Sequence, residues 1–199
     1  MLREEVKNVC ALNCSLQKSV SELKVRIEGA ERIFDNRLEE METYSRRQCL
    51  RIEGIPVKEY EKNASVMQTV QSCFDEAGLT IPNDVVDRAH RVGPVYKNKD
   101  DSNCQTIIVK FNNFRYRTDF YRKRKSLKGK RVRIDLTKKG YDLLKRSMNF
   151  INDGSLTKKL QSVYVFADIN CRLKIVDTES ETECFIDSFE DVENFISKS

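Results

Sequence analysis

The sequence predicts an α+β protein in which an N-terminal parallel coiled coil precedes two small mixed domains. Two observations carry this prediction. Apolar residues recur at alternating steps of four and three near the N-terminus, and strand-like and helix-like segments separated by Gly and Pro turns follow. We therefore divide the 199 residues into a coiled coil at 1–46, a β-α-β-β-α-β domain at 47–136 and a smaller α+β domain at 137–199.

The N-terminal segment 1–46 contains one glycine and no proline, so its apolar residues can lie on one continuous helix. Steps that average about 3.5 residues keep the stripe on one face of a supercoiled helix, which a partner helix must cover. Asn13 takes a stripe position typical of residues that fix register or oligomer number, and a second consecutive four-residue step at Phe34 predicts a stutter. The stripe consists of Leu2, Val6, Val9, Asn13, Leu16, Val20, Leu23, Ile27, Ala30, Phe34, Leu38 and Met41.

Two short segments of this helix, 26–31 and 37–42, share one arrangement of charges around the stripe. In each, a basic residue precedes the first apolar position and an acidic residue follows the second, so that the two can pair between helices. The arrangement resembles a trimerisation motif of short coiled coils and predicts a homotrimer. The alternative is a single amphipathic helix packed on its own domain. The motif residues are Arg26, Ile27, Ala30, Glu31, Arg37, Leu38, Met41 and Glu42.

The second segment predicts strands and helices in the β-α-β-β-α-β order of RNA-recognition-type domains. Alternation of apolar and polar residues marks the strands, helical spacing marks the helices, and Gly or Pro marks their ends. The expected elements are a strand at 49–56, a helix at 64–77, a strand at 85–92 closed by Gly93-Pro94, a polar loop at 96–105, a strand at 106–111, a basic helix at 113–126 and a strand at 130–136.

The third segment predicts a helix, three strands and a closing helix. Thr137 is the expected N-cap of a helix that continues to Ile151. Strands are expected at 163–168, 172–176 and 184–187, and the closing helix at 189–199, with its apolar side on Val192, Phe195 and Ile196.

Positive charge is concentrated in the middle of the chain. The net charge is −1 over 1–46, +8 over 47–136 and −2 over 137–199. Between Arg115 and Arg133, ten basic residues stand against one acidic residue, with aromatic residues interleaved. Such a surface predicts salt-dependent contact with the phosphates of a nucleic acid, and exposed aromatic or Arg planes can stack on unpaired bases.

Strand alternation assigns residues to the two faces of the expected sheet. Leu50 and Ile52 should lie in the core, and Arg51 should lie on the opposite face. By the same alternation, Lys110 should lie on the face opposite its strand neighbours Val109 and Phe111. Arg88 and Arg91 fall on opposite faces, so either one of them reaches the rim of the sheet or the strand bends. Phe114 and Phe120 are expected in the core. The strand 106–111 lacks the aromatic residues of a base-stacking platform, which shifts the expected contacts to basic residues at the edge and the domain junction.

Five phrases of this sequence carry a family resemblance: Arg46-Arg47-Gln-Cys-Leu-Arg-Ile-Glu-Gly-Ile-Pro56, Val86-Asp-Arg-Ala-His-Arg-Val-Gly93, Ile107-Ile-Val-Lys-Phe111, Leu127-Lys-Gly-Lys130 and Asp135-Leu-Thr137. They closely resemble first-open-reading-frame proteins of LINE-type retrotransposons. The resemblance implies a trimer that coats single-stranded RNA or DNA and acts as a nucleic-acid chaperone in a ribonucleoprotein. It also implies that the two globular domains grip the strand between them, with Arg51 at a contact position.

The part from 164 to 196 also resembles the C-terminal domain of baculoviral few-polyhedra proteins. This leaves two alternatives open: a viral assembly factor that works through protein partners, and a domesticated host scaffold. The candidate nucleic-acid contacts are Arg51, Arg88, Arg91, Lys110, Arg115, Arg117, Arg122, Lys123, Arg124, Lys125, Lys128, Lys130, Arg131, Lys145, Arg146, Lys158, Lys159 and Arg172.

We expect no enzyme activity, cofactor, metal site or small-molecule substrate. The sequence has no Gly-rich phosphate loop and no Gly-x-Ser-x-Gly motif. Its seven cysteines form no CxxC pair, and the single histidine, His90, has no cysteine nearby in sequence. Free thiols indicate a reducing compartment, and the apolar runs are too short for a membrane span. We therefore expect a cytoplasmic ribonucleoprotein or a nuclear protein, neither secreted nor membrane-spanning.

Overall fold

The computed structural model describes residues 2–57, 63–98, 100–152 and 162–198. The chain forms two units, Met1–Glu42 and Thr43–Ser199, that are compact by their internal contacts. The fold is mixed α+β with antiparallel sheets, as the sequence predicts. Among the described residues, no helix combines the length and apolar composition that a membrane span requires.

The long N-terminal helix is confirmed. Helix α1 spans Leu2–Arg46, and none of its residues is buried. The side of the helix that carries the apolar stripe is therefore exposed, with Leu2 80% and Leu38 48% exposed. The coiled coil and the trimer stay predictions about how this stripe is covered.

The first sheet has four antiparallel strands in the order β2-β3-β1-β4. Helices α2 and α3 connect them, and short 3-10 turns lie at Asn83–Val85 and Lys123–Ser126. The order of elements along the chain is the predicted one. The bounds are β1 at Cys49–Glu53, α2 at Asn63–Glu76, β2 at Val86–Lys97, β3 at Asn103–Phe111, α3 at Phe114–Arg122 and β4 at Arg131–Ile134.

The core of this half lies between the sheet and the two helices. Leu50 and Ile52 are fully buried, as their alternation predicts. Phe74 of α2 meets Phe120 of α3 edge to face, with ring centroids 4.7 Å apart, and Phe111 of β3 completes the aromatic cluster. Buried aromatic pairs of this geometry add stability beyond their buried area. The prediction for Phe120 is confirmed, whereas Phe114 is only partly buried.

The expected end of the second strand at Gly93-Pro94 is wrong. Strand β2 continues to Lys97, and the expected loop 96–105 is shorter because β3 already begins at Asn103. The pairing register shifts between Val92 and Tyr96, and Gly93 has φ +73° there. A β-bulge accepts a left-handed glycine, and a proline without an N–H group, without ending the strand.

The C-terminal half builds a second antiparallel sheet, ordered β5-β6-β7, with two helices on one face. Thr137 is confirmed as the N-cap of α4, since its Oγ1 accepts a hydrogen bond from the Gly140 N–H at 3.0 Å. Val192 of α5 is fully buried against this sheet. The bounds are α4 at Lys138–Asn152, β5 at Val163–Ala167, β6 at Leu173–Asp177, β7 at Thr182–Ile186 and α5 at Phe189–Lys198.

Candidate nucleic-acid interface

The face of the first sheet opposite its core carries the predicted arginine and lysine side chains. Arg51 of β1 lies directly across from Arg133 of β4, and Lys110 of β3 pairs in register with Arg88 of β2. None of the four is buried. The positions of β1, β3 and β4 on this face, all within the described residues, hold no aromatic side chain.

One of these cations, Arg51, shares a buried carboxylate with Arg46, the last residue of α1. Asp135 follows β4, and its side chain is only 4% exposed. Its Oδ1 accepts a hydrogen bond from Arg51 Nε at 2.5 Å, and both of its oxygens accept from Arg46 Nη1 at 3.1 Å. Arg46 also donates to the Leu136 carbonyl at 3.3 Å. The carboxylate thus orients two guanidinium groups, because such charge-assisted bonds are strong and directional.

The two oriented arginines line a cavity of about 520 Å³ that we call the β4–α4 groove. Its wall combines cationic, aromatic and aliphatic groups from both sheets of the second unit and from α4. A cleft of this size with aromatic walls and a few polar groups is typical of a ligand site. The groove is lined by Arg46, Arg51, Glu53, Tyr121, Val132, Arg133, Ile134, Leu136, Thr137, Lys138, Tyr141, Leu144, Met148, Val165, Phe166 and Ala167.

The basic segment after α3 adjoins the groove through Tyr121. The Arg124 guanidinium lies over the Tyr121 ring, 4.2 Å from its centroid, and donates to the Tyr121 carbonyl at 2.9 Å. Arg122 has 73% of its side chain exposed, with Asp119 3.9 Å away, and Lys125 is also exposed. Arg122 and Lys125 are therefore accessible to a phosphate group in solution.

Other cations of the same region are already engaged with the protein. Lys130 forms an ion pair with Glu76, and the Lys128 N–H donates to the same carboxylate at 2.9 Å. The hydrogen bonds from Lys130 and Lys128 lower the pKa of Glu76. Lys123 donates to the Gly78 carbonyl at 3.1 Å, and Lys110 lies 3.3 Å from Asp87.

Arg117, one of the predicted nucleic-acid contacts, does not lie on the surface. Arg117 is fully buried, and its Nη1 donates to the Ile169 carbonyl at 2.7 Å. Its Nε and Nη2 atoms have no hydrogen-bond partner among the described residues, and burial lowers the pKa of the guanidinium. The residue joins α3 to the turn between β5 and β6, where Cys171 enters the first core.

Arg91 has a role at the end of the sheet instead of on its open face. Its guanidinium donates to the carbonyls of Ile55, Pro56 and Gln105 at 2.7–2.9 Å. These bonds hold the segment after β1 against β3. The strand also bends, as one of the two alternatives predicted from the sequence required, because a bulge shifts its register between Val86 and Arg88.

The remaining candidates lie on exposed surface or outside the described residues. Arg115, Lys128, Arg131 and Lys145 are exposed. The Arg146 guanidinium covers the ring of Phe189 at 3.9 Å, away from the groove-lining residues of α4. Arg172 lies over the ring of Phe185 at 3.9 Å. Lys158 and Lys159 lie outside the described residues.

Sequence reasoning missed the aromatic and cationic groups that the groove receives from α4 and β5. Lys138 and Tyr141 are three residues apart on α4, and Phe166 alternates with buried valines on β5. The available signal was the Val-Tyr-Val-Phe pattern of β5, which places two aromatic residues on the face opposite the core. No protein-family model matches this chain, and no curated protein sequence matches it significantly.

Proposed function

We propose that this chain is an oligomeric single-stranded nucleic-acid-binding protein that holds the strand in the β4–α4 groove. One observation carries the proposal: Arg51 and Arg46, oriented by Asp135, share a cavity wall with Arg133, Tyr121 and Tyr141. Guanidinium groups pair with phosphates, and the planar rings beside them stack on unpaired bases.

The groove favours a single strand over a duplex. A cavity of about 520 Å³ with tyrosines in its wall can admit individual nucleotides. A duplex stacks its bases on each other, so those rings would have nothing to stack on. The four-stranded order β2-β3-β1-β4 also supports an RNA-recognition-like domain, although its open face carries cations in place of rings.

Self-association of α1 would make several weak grips act together. The stripe of α1 is exposed along its full described length, and the charge motifs at 26–31 and 37–42 suit a trimer. Linked sites on one polymer gain affinity because each later contact forms at a high effective concentration. Coating of RNA and chaperone activity in a retrotransposon ribonucleoprotein would follow from such binding.

The test is binding of a fluorescent oligouridylate to the full-length chain, followed by anisotropy at a series of salt concentrations. We expect affinity at low salt that falls steeply as salt increases. The double variant Arg51→Ala, Arg133→Ala should bind at least about tenfold more weakly, because each charge-assisted bond contributes roughly 1.5–3 kcal/mol.

Arg146→Ala is the matched control, since it removes an exposed cation that covers Phe189 and does not line the groove. It should bind nearly as the unaltered chain does. Absence of binding by the unaltered chain at low salt would refute the function. Equal losses for Arg146→Ala and the double variant would refute the groove as its site. A sedimentation mass of a single chain at micromolar concentration would refute the oligomer.

A further inference from the structure

The second sheet presents aromatic rings on the face opposite its helices. Strand pairing places Phe166 of β5 across from Lys174 of β6, and Lys174 across from Phe185 of β7. Tyr164 lies two residues before Phe166 and therefore on the same face. Helices α4 and α5 pack on the other face, against the buried side chains of these strands. We call Tyr164, Phe166, Lys174 and Phe185, with Arg172 beside them, the ring face.

The three rings of this face are exposed, and two of them stack on each other. Tyr164, Phe166 and Phe185 have 48%, 38% and 43% of their area exposed. Tyr164 and Phe166 stack with centroids 5.7 Å apart and planes 28° apart. Three exposed aromatic residues on one short sheet form an apolar patch of the kind that marks a binding surface.

Two cationic side chains, Arg172 and Lys174, lie over the ring of Phe185 at the edge of this patch. The Arg172 guanidinium lies 3.9 Å from the centroid of Phe185, and Lys174 Nζ lies 5.5 Å from it. Each cation also has a carboxylate partner, Asp168 for Arg172 and Glu183 for Lys174, so that the face has little unpaired charge. The ring face therefore offers planar stacking surfaces, including the guanidinium plane, more than attraction for phosphates.

The ring face is continuous with the β4–α4 groove through one residue. Phe166 lines the groove and is also stacked with Tyr164 on the open sheet. A strand whose phosphates lie beside Arg51 and Arg133 would present its next unpaired bases to these rings. This continuity favours a nucleic acid as the occupant over an unrelated protein.

We propose that the ring face binds the unpaired bases of the same single strand that the groove holds by its phosphates; this inference rests on the proposed function. Stacking on Tyr164, Phe166 and Phe185 is independent of base identity, because every base has a planar π surface. The groove then contributes the salt-dependent part of the affinity together with stacking on its own tyrosines, and the ring face adds a part that depends on bases and hardly on salt.

The chain contains no tryptophan, which permits a direct experiment. Phe185→Trp places a single tryptophan on the ring face of the full-length protein and keeps an aromatic plane there. Titration with oligouridylate should quench its fluorescence at the same concentration that saturates binding. Val25→Trp is the matched control, since Val25 is 68% exposed on α1 and lies outside the stripe. Its fluorescence should change little.

Affinity separates this inference from the proposed function. The double variant Tyr164→Leu, Phe185→Leu should bind oligouridylate about tenfold more weakly at every salt concentration. It should bind an abasic sugar-phosphate oligomer of equal length as the unaltered chain does. Equal losses for both oligomers, or no loss for either, would overturn the ring face while the groove stands. Failure of the unaltered chain to bind either oligomer would overturn the proposed function itself. A changed sedimentation mass of the Leu variant would assign the face to contacts between copies and overturn the inference.

Discussion

The two antiparallel sheets of the second unit use the same architecture for different surface chemistry. Each sheet has helices on one face, and each alternates buried aliphatic residues with outward-facing ones. The first sheet points Arg51, Arg133 and Lys110 outward, whereas the second points Tyr164, Phe166 and Phe185 outward. Because successive side chains of a strand point to opposite faces, a few outward positions can change the surface of a sheet from cationic to aromatic while the core stays intact.

The two sheets also differ in how carboxylates pair with their cations. On the first sheet, buried Asp135 orients two arginines and leaves both of them partly exposed toward the groove. On the second sheet, Asp168 and Glu183 pair with the cations beside the rings. Under the proposed function, the two arginines that share Asp135 keep one net positive charge available for a phosphate, although Arg133 on the same face pairs with Glu53 at 3.2 Å. On the second sheet each of the two cations has its own carboxylate, which removes charge from a stacking surface.

The largest effect is expected where the two sheets are joined. Arg117 is buried, and its bond to the Ile169 carbonyl ties α3 to the β5–β6 turn. Arg117→Ala should lower the free energy of unfolding by about 2–4 kcal/mol, because it empties a packed site and removes that bond. Urea denaturation followed by circular dichroism measures this loss.

Arg122→Ala is its control, since Arg122 has an exposed side chain on the same helix and should change stability by less than about 0.5 kcal/mol. Equal stability of the two variants would mean that the two halves do not depend on the buried guanidinium. A larger loss of nucleic-acid affinity for folded Arg117→Ala than for Arg122→Ala would place Arg117 in the interface.

The next effect concerns the cations beside Tyr121, of which Arg122 and Lys125 are exposed and Arg124 is half-buried. Replacing Arg122, Arg124 and Lys125 by Ala should remove about 0.7 per phosphate contact from the slope of log affinity against log salt. Between about 50 and 200 mM salt, the loss of affinity should then be roughly 20-fold smaller than for the unaltered chain. Filter binding at several salt concentrations measures the slope.

Lys130→Ala provides the comparison, because Glu76 already neutralises Lys130. This variant should leave the salt slope nearly unchanged. A triple variant with the slope of the unaltered chain would show that these three cations do not contact phosphates, and that the nucleic-acid interface is smaller than proposed.

A third and smaller effect is expected at the carboxylate that orients the groove. Asp135→Ala should destabilise the protein by about 1–2 kcal/mol, since it removes charge-assisted bonds while water can still reach Arg46 and Arg51. Thermal unfolding measures the change. Asp119→Ala is the control, because its partner Arg122 is exposed and such pairs contribute little. A difference near zero between the two variants would contradict an orienting role for Asp135.

Local sequence patterns predicted most of the helices and strands, because alternation and capping depend only on residues that are close in sequence. Alternation placed Leu50 and Ile52 in the core, and the capping residue Thr137 marked the start of α4. The extension of β2 was not predicted, because Gly93-Pro94 is typical of a turn and a bulge depends on pairing with a distant strand.

The parts of the site that depend on distant pairing could not be predicted. Asp135 and Arg46 are separated by 89 positions in the sequence, and no local pattern relates them. Arg117 was different, because a signal existed: it lies three residues from Phe114 and from Phe120, on the side of α3 that faces the core. The general preference of arginine for the surface outweighed that spacing.

The smallest expected effect is the pH dependence of stability that comes from the ion pair between Lys130 and Glu76. Hydrogen bonds from Lys130 and Lys128 lower the pKa of Glu76 in the folded protein. The carboxylate therefore stabilises the fold above the ordinary glutamate pKa, about 4.3, and this contribution disappears as the pH falls through the lower folded value. Because the side chain is about one-third exposed, at 32%, the contribution should be less than about 1 kcal/mol.

Chemical denaturation of the unaltered chain and of Glu76→Gln between acidic and neutral pH should reveal this contribution. The two stability curves should separate above the ordinary glutamate pKa and converge at lower pH, because a protonated Glu76 resembles glutamine in charge. In a Lys130→Met background the separation should shrink, since the strongest of the hydrogen bonds to Glu76 is gone. A separation that persists unchanged without Lys130 would mean that this lysine is not neutralised by Glu76 and belongs with the cations available to a phosphate.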